Sequence, residues 1–69
     1  MIVIKIDILK LLKEKGYNTN YLRKNKLLSE STIQKIRNND SSLTLKNLDT
    51  ICSLLDMQPG EIVEFIQEK

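Results

Sequence analysis

Apolar residues recur at intervals of three and four along most of the chain, a spacing that aligns side chains on one face of a helix. Polar residues and turn formers separate these stretches, so the pattern predicts five short helices. They cover residues 8–15, residues 19–25 and residues 30–38, and the last two begin after Thr44 and at Pro59. The first residues differ, because Ile2, Ile4 and Ile6 alternate with their neighbours. That alternation predicts a short extended segment with an edge free to pair.

Residues with capping preferences mark the ends of these stretches. Side chains that accept hydrogen bonds from a helix N-terminus precede the first four helices. They are Asp7, Asn18 or Thr19, Ser29 and Thr44. Gly16 stands where a helix end favours a left-handed residue, and Pro59 suits the first turn of the fifth helix. The residues predicted on the buried side of that last helix are Ile62, Val63, Phe65 and Ile66.

Residues 19–37, TNYLRKNKLLSESTIQKIR, predict two amphipathic helices joined by a tight turn. This is the outline of a helix-turn-helix, a motif that lays its second helix in the major groove of DNA. The apolar positions that would hold the two helices together are Leu22, Leu28, Ile33 and Ile36. The polar positions on the outward side of the second helix are Glu30, Ser31, Gln34, Lys35 and Arg37. Such a polar side is suited to reading the edges of bases.

Length and composition favour a small helical bundle. The chain has 69 residues, which predicts one domain near the lower size limit for a self-sufficient hydrophobic core. Apolar residues make up 41% of it, with only three aromatic residues, two glycines and one proline, and this balance favours helix over sheet. The predicted fold class is therefore all-α, a five-helix bundle with a short extended segment at its N-terminus.

Several function classes are disfavoured by residues that the chain lacks. Cys52 is the single cysteine and there is no histidine, so an internal disulfide, a zinc constellation and a Cys/His catalytic pair are all excluded. We expect Cys52 to be a small buried apolar residue. No glycine-rich phosphate loop or convergent carboxylate pair is evident, so we expect no enzyme, no cofactor and no small-molecule ligand.

The N-terminal residues give no sign of a membrane segment. The longest apolar stretch, residues 1–12, is interrupted by Lys5, Asp7 and Lys10, whereas a spanning helix needs about 20 apolar residues. A signal peptide is not expected, because no basic region precedes the apolar residues and no small-residue cleavage site follows them. We therefore expect a cytoplasmic protein that does not associate with a membrane.

Charge is distributed unevenly between the two halves of the chain. Residues 1–38 carry nine cations and three anions, a net charge of +6, whereas residues 39–69 carry two cations and six anions, a net charge of −4. A basic front that contains the helix-turn-helix suits a polyanion, because neutralised phosphates supply much of the affinity for DNA. Ordinary solvated helix surface is an equally acceptable explanation of the asymmetry alone.

The order of these features resembles the DNA-binding domains of the lambda repressor and Cro type, the xenobiotic-response-element family of bacterial and phage regulators. Five segments carry the resemblance over nearly the full chain. They are LLKEKG (residues 11–16), Thr19 with Leu22, LSESTIQKIRNN (residues 28–39), LTLKNLDTIC (residues 43–52) and MQPGEIVEF (residues 57–65). The last two are similar to those of very small, stand-alone members. The resemblance implies a five-helix lambda-repressor-like bundle whose second and third helices form the helix-turn-helix.

Two positions depart from the usual pattern of this family. The middle of the second helix usually carries a small residue, and here it is Arg23, whose guanidinium must extend outward over the surface. The turn usually carries glycine, and here that position is Leu27. A leucine held at positive φ would cost on the order of 1 kcal/mol or more.

The resemblance places the start of the third helix in the groove. The candidate base-contacting residues are then Glu30, Ser31, Gln34 and Lys35. Lys35 can donate to guanine, Gln34 can pair with adenine, and Glu30 can accept from the cytosine amino group, while Ser31 is a short donor or acceptor. A purely structural explanation also exists, because Glu30 and Lys35 stabilise the dipole at the two ends of the helix.

Candidate phosphate contacts lie beside this helix. They are Asn18, Thr19 and Asn20 at the start of the second helix and Asn38 and Asn39 after the third. Thr19 as a helix cap and Asn38 with Asn39 as a turn are the structural alternatives.

The predicted function is that of a sequence-specific transcriptional regulator of double-stranded DNA, in the form of a repressor that occupies an operator. One domain makes few contacts, so we expect a homodimer spanning two half-sites about one helical turn apart. Residues 2–6 and the last helix are the candidate dimer surfaces. The alternative is a helical protein-interaction module, antitoxin-like or a regulatory partner, that keeps the fold but has lost DNA docking through Arg23 and Leu27.

Overall fold

The structure is a computed structural model that describes residues 1–67. Five helices are flanked by two short strands. In chain order the elements are β1 (Ile2–Ile4), α1 (Ile8–Glu14), α2 (Thr19–Lys24), α3 (Glu30–Arg37), α4 (Leu45–Leu55), α5 (Pro59–Ile62) and β2 (Val63–Phe65). The five predicted helices are therefore all present, and the extended segment predicted over residues 2–6 is a strand over its first three residues, β1. Within the described residues no helix has the length and apolar character needed to cross a membrane.

Side chains cap the first four helices as predicted. Asp7 accepts from the amide of Lys10 at 3.2 Å, and Ser29 accepts from the amide of Thr32 at the same distance. Thr44 accepts from the amide of Asn47 at 3.0 Å. Of the two candidates for α2, Asn18 is the cap, because its Oδ1 accepts from the Tyr21 amide at 2.8 Å. Each cap satisfies an N–H group that has no partner inside its helix, so these side chains fix where the helices begin.

The turn between α2 and α3 corrects the expectation for Leu27. The left-handed residue is Lys26, with φ 55°, and Leu27 is not among the residues with positive φ. The Leu27 amide donates to the carbonyl of Leu22 at 3.0 Å, and its side chain packs against the core. This pattern is a Schellman motif, in which the residue before the apolar contact adopts the left-handed conformation. The strained position is therefore a lysine, one residue earlier than expected.

We predict that Lys26→Gly stabilises the protein. Glycine adopts positive φ without a steric penalty, so the free energy of unfolding should rise by up to about 1 kcal/mol. Thermal unfolding followed by circular dichroism should show a gain of about 4 °C. The control is Lys24→Gly, two residues earlier at the last position of α2, where the backbone is helical and glycine should lower stability by up to about 1 kcal/mol. A loss of stability in Lys26→Gly would contradict the assigned turn.

The buried core draws on every helix of the described chain. Its apolar members are Ile8, Leu12, Leu22, Leu28, Ile33, Ile36, Ile51, Leu55 and Ile62. All four apolar positions predicted to hold the helix-turn-helix together are among them. Thr32 is the buried polar residue, and its hydroxyl lies 2.9 Å from the Ser29 hydroxyl and accepts from the Asn47 side-chain amide nitrogen at 3.3 Å. These bonds join the start of α3 to α4.

The C-terminal part of the chain departs from the predicted long fifth helix. The helix α5 ends at Ile62, and β2 pairs with β1 in antiparallel register, with Ile2 opposite Phe65 and Ile4 opposite Val63. The buried side predicted for this helix is wrong for Phe65 and Ile66, which are 67% and 47% exposed. β-Branched and aromatic residues favour a strand once a partner is available, and β1 supplies that partner from the other end of the chain. The fold is thus mostly helical, with a small sheet added to the all-α bundle.

Cys52 occupies an ordinary structural position. Its side chain is half-buried and packs against the core. Partial burial raises the pKa of the thiol, which disfavours the reactive thiolate. The predicted role is that of a small buried apolar residue on a helix face; Cys52 lies on such a face and packs against the core, but its burial is partial.

Candidate nucleic-acid interface

The outward side of α3 is polar and largely exposed. Thr32, Ile33 and Ile36 turn toward the core, which leaves the opposite side of the helix to solvent. Glu30, Ser31 and Gln34 are exposed, and Lys35 is half-buried at the edge of this side. The structure thus places all four candidate base-contacting residues on α3 away from the buried side, as the periodicity predicts.

Hydrogen bonds at the turn fix the direction in which α3 leaves α2. The carbonyl of Leu22 accepts from the amides of Leu27 and Leu28 at 3.0 and 3.4 Å. Ser29 then caps α3, and its hydroxyl lies 3.1 Å from the Ser31 hydroxyl. Because Leu22 and Leu28 are both buried, this junction is anchored on both sides. The side chains of α3 therefore project from a well-supported helix.

Arg23 lies on the surface and connects the two helices of the motif. Its Nε donates to the Thr19 carbonyl oxygen at 3.3 Å, and its Nη1 donates to Glu30 Oε2 at 2.9 Å. The two side chains of this ion pair are 48% and 54% exposed. The outward path predicted for Arg23 is thus confirmed, whereas its partner was not foreseen. The sequence signal for this ion pair is that Arg23 and Glu30 carry opposite charges and flank the turn between α2 and α3.

Glu30 is held by a second bond within α3. Gln34 Nε2 donates to Glu30 Oε1 at 3.3 Å, so each carboxylate oxygen has one protein partner. The hydrogen bond from Gln34, followed by the charge of Arg23, holds the pKa of the Glu30 carboxyl below its ordinary value. Glu30 therefore remains an anion that is already engaged by protein groups.

The start of α2 adjoins a basic groove of about 460 Å³. Asn18 and Thr19, two of the candidate phosphate contacts, line it. Lys10, Lys13 and Arg37 line the same groove and outweigh the single carboxylate there, that of Asp7, so the groove carries net positive charge. Sequence reasoning did not assign these three cations to phosphate, because α1 and the end of α3 meet here only through the tertiary fold. Asn20 follows the groove-lining Thr19 but is not part of the lining.

Asn38 and Asn39 lie at the C-terminal end of α3, opposite the Ser29 cap. Asn38 is the C-cap, and Asn39 adopts φ 55°, so both residues form the turn after the helix. Both are exposed. Asn39 shares a second groove of about 510 Å³ with Lys5 and Arg37. Since Arg37 lines both grooves, it links this end of α3 to the start of α2.

Comparison with protein families agrees with this geometry. Residues 7–68 match the family model of the Cro/C1-type HTH DNA-binding domain. Searches of curated proteins and of solved structures found no match to the chain. The family match spans all five helices, including the α2–turn–α3 unit. The chain therefore belongs to the family of Cro/C1-type HTH DNA-binding domains.

Proposed function

We propose that the protein is a sequence-specific, non-catalytic DNA-binding regulator that lays α3 in the major groove and acts as a repressor in the cytoplasm. The observation that carries this proposal is the exposed polar side of α3 beside a groove lined by Lys10, Lys13 and Arg37. A helix that can read base edges needs adjacent positive charge to hold the duplex in register. Occupying an operator would then exclude polymerase.

The proposed base contacts are those of the exposed side of α3. Lys35 donates to guanine, Gln34 pairs with adenine, Ser31 adapts as donor or acceptor, and the remaining lone pairs of Glu30 accept from cytosine. The proposed phosphate contacts are Asn18, Thr19, Asn20, Asn38 and Asn39, joined by Lys10, Lys13 and Arg37. The first group specifies sequence, and the second supplies affinity for any duplex.

A homodimer would place two copies of α3 on successive half-sites. Large exposed apolar side chains are present around the small sheet and the start of α4, namely Met1, Ile2, Leu45, Phe65 and Ile66. Ile2 pairs with Phe65 across the sheet, and Ile2 and Leu45 line one shallow groove. Covering this apolar surface would be favourable, and a second copy doubles the DNA contacts. Sedimentation equilibrium with and without operator DNA measures the proposed state.

The proposal is tested by binding to mixed genomic DNA fragments at increasing salt. A regulator should retain certain fragments and lose affinity steeply as salt rises, because bound phosphates release counterions. An interaction module with the same fold should show neither behaviour. That alternative depended on Arg23 and Leu27, yet Arg23 lies on the surface and Leu27 escapes positive φ. The salt-dependent binding measurement distinguishes a DNA-binding regulator from an interaction module.

Once a fragment is selected, Lys35→Ala and Asn38→Ala should affect it differently. Loss of Lys35 should cost about 1 to 3 kcal/mol of binding free energy and relax the preference at one base position. Loss of Asn38 should weaken every sequence by a similar factor, because phosphates carry no sequence information. Fluorescence anisotropy on a panel of single-base variants measures both effects. Unchanged binding in both variants would exclude this docking of α3.

A further inference from the structure

A continuous set of hydrogen bonds runs from α2 to the outward side of α3. Arg23 makes two hydrogen bonds with Thr19. Its Nη2 donates to Thr19 Oγ1 at 3.5 Å, and its Nε donates to the Thr19 carbonyl oxygen. Arg23 then binds one oxygen of Glu30, and Gln34 binds the other. These four side chains thus have defined partners before any ligand arrives.

The chemistry of a carboxylate fixes the orientation of the Gln34 amide. A carboxylate can only accept hydrogen bonds, so the atom of Gln34 that faces Glu30 must be the amide nitrogen. The carbonyl oxygen and the second N–H of Gln34 remain available, since no other hydrogen bond to this side chain is found within residues 1–67. An acceptor beside a donor is the pattern that pairs with the N6 amino group and N7 of adenine.

Building on the proposed function, we propose that Arg23 and Glu30 are positioning residues that orient the Gln34 amide for adenine in the major groove. Arg23 also offsets the negative charge of Glu30, which would otherwise repel the phosphates of the duplex. An exposed ion pair of this kind contributes little to stability. The Arg23–Glu30 ion pair instead affects which base α3 selects.

The first arm of the test needs no DNA. In ¹⁵N NMR spectra, the Gln34 side-chain amide should shift as the Glu30 carboxyl is protonated, because the two groups share a hydrogen bond. Arg23→Gln should raise the pKa of Glu30, whereas Lys24→Gln, which removes the same charge from the next position of α2, should have a much smaller effect. A Gln34 amide signal that ignores the titration of Glu30 would overturn the inference.

The second arm measures base preference on a fragment selected by the wild-type protein. Gln34→Ala identifies the base pair that Gln34 reads, and the wild type should prefer adenine there by about tenfold or more. Arg23→Gln and Glu30→Gln should each reduce that preference to about twofold, and Arg23→Lys should restore part of it. Lys24→Gln should keep the preference for adenine while lowering the affinity for all four bases by the same factor.

The two arms separate failure of the inference from failure of the proposed function. Selective DNA binding in which Arg23→Gln lowers the affinity for all four bases equally would overturn the inference alone. A preferred base other than adenine at the Gln34 position would do the same. An intact network in the free protein without selection of any fragment would overturn the proposed function together with the adenine assignment.

Discussion

Replacing Lys10, Lys13 and Arg37 together by glutamine is expected to lower the affinity for every DNA duplex by about 100-fold at physiological salt. These three side chains line one groove at the start of α2, where a phosphate would meet them together. The slope of log affinity against log salt should become shallower by about 2.7, because each phosphate that is no longer neutralised reduces it by about 0.9. Fluorescence anisotropy over a range of salt concentrations gives both quantities.

A second triple variant separates the groove from overall charge. Replacing Lys15, Lys26 and Lys46 by glutamine removes the same total charge from positions outside the groove. Its affinity and salt slope should change far less, because charges away from the phosphates are screened over about one Debye length. Equal losses in the two variants would mean that the groove does not bind phosphate and that only the net charge matters.

Leu22→Ala is expected to leave much of the protein unfolded at room temperature. Leu22 is 0% exposed and stands at the junction of α2 and α3. Truncating a buried leucine costs about 2–5 kcal/mol, a large share of the roughly 3–10 kcal/mol that stabilises a domain of this size. Urea denaturation followed by circular dichroism should show the loss as a lower midpoint, with unfolding beginning near zero denaturant.

Leu45→Ala is the matched control for that substitution. The same atoms are removed, but Leu45 is 84% exposed at the first position of α4. Its unfolding free energy should change by less than about 0.5 kcal/mol. The comparison should be made at low protein concentration, where association through the exposed apolar surface is weakest. Similar effects of the two substitutions would contradict the assigned core.

Local signals account for the parts of the fold that the sequence predicts well. The caps Asp7, Ser29 and Thr44 accept hydrogen bonds from amides three residues away, so the local sequence is enough to predict them. The apolar period of the helix-turn-helix likewise identifies Leu22, Leu28 and their partners without knowledge of the rest of the chain. The outward side of α3 follows directly from that period.

The features that the sequence alone missed depend on distant or finely placed partners. Residues 63–65 have the composition of either a short helix continuation or a strand, and β1 decides between them from the opposite end of the chain. The left-handed residue is Lys26, one position before the expected Leu27, because Leu27 makes the apolar contact that follows the left-handed residue. The groove that combines Arg37 with Asn18 exists only once α1, α2 and α3 have packed.

The pairing of β1 with β2 bears on the order in which the chain can complete its fold. Ile2 lies opposite Phe65, so the sheet joins segments separated by nearly the entire described length. Closing so long a loop is entropically unfavourable until the intervening helices have drawn its ends together. During synthesis, the N-terminal strand must therefore wait for β2 to leave the ribosome, and Ile2 and Ile4 stay without their partners until then.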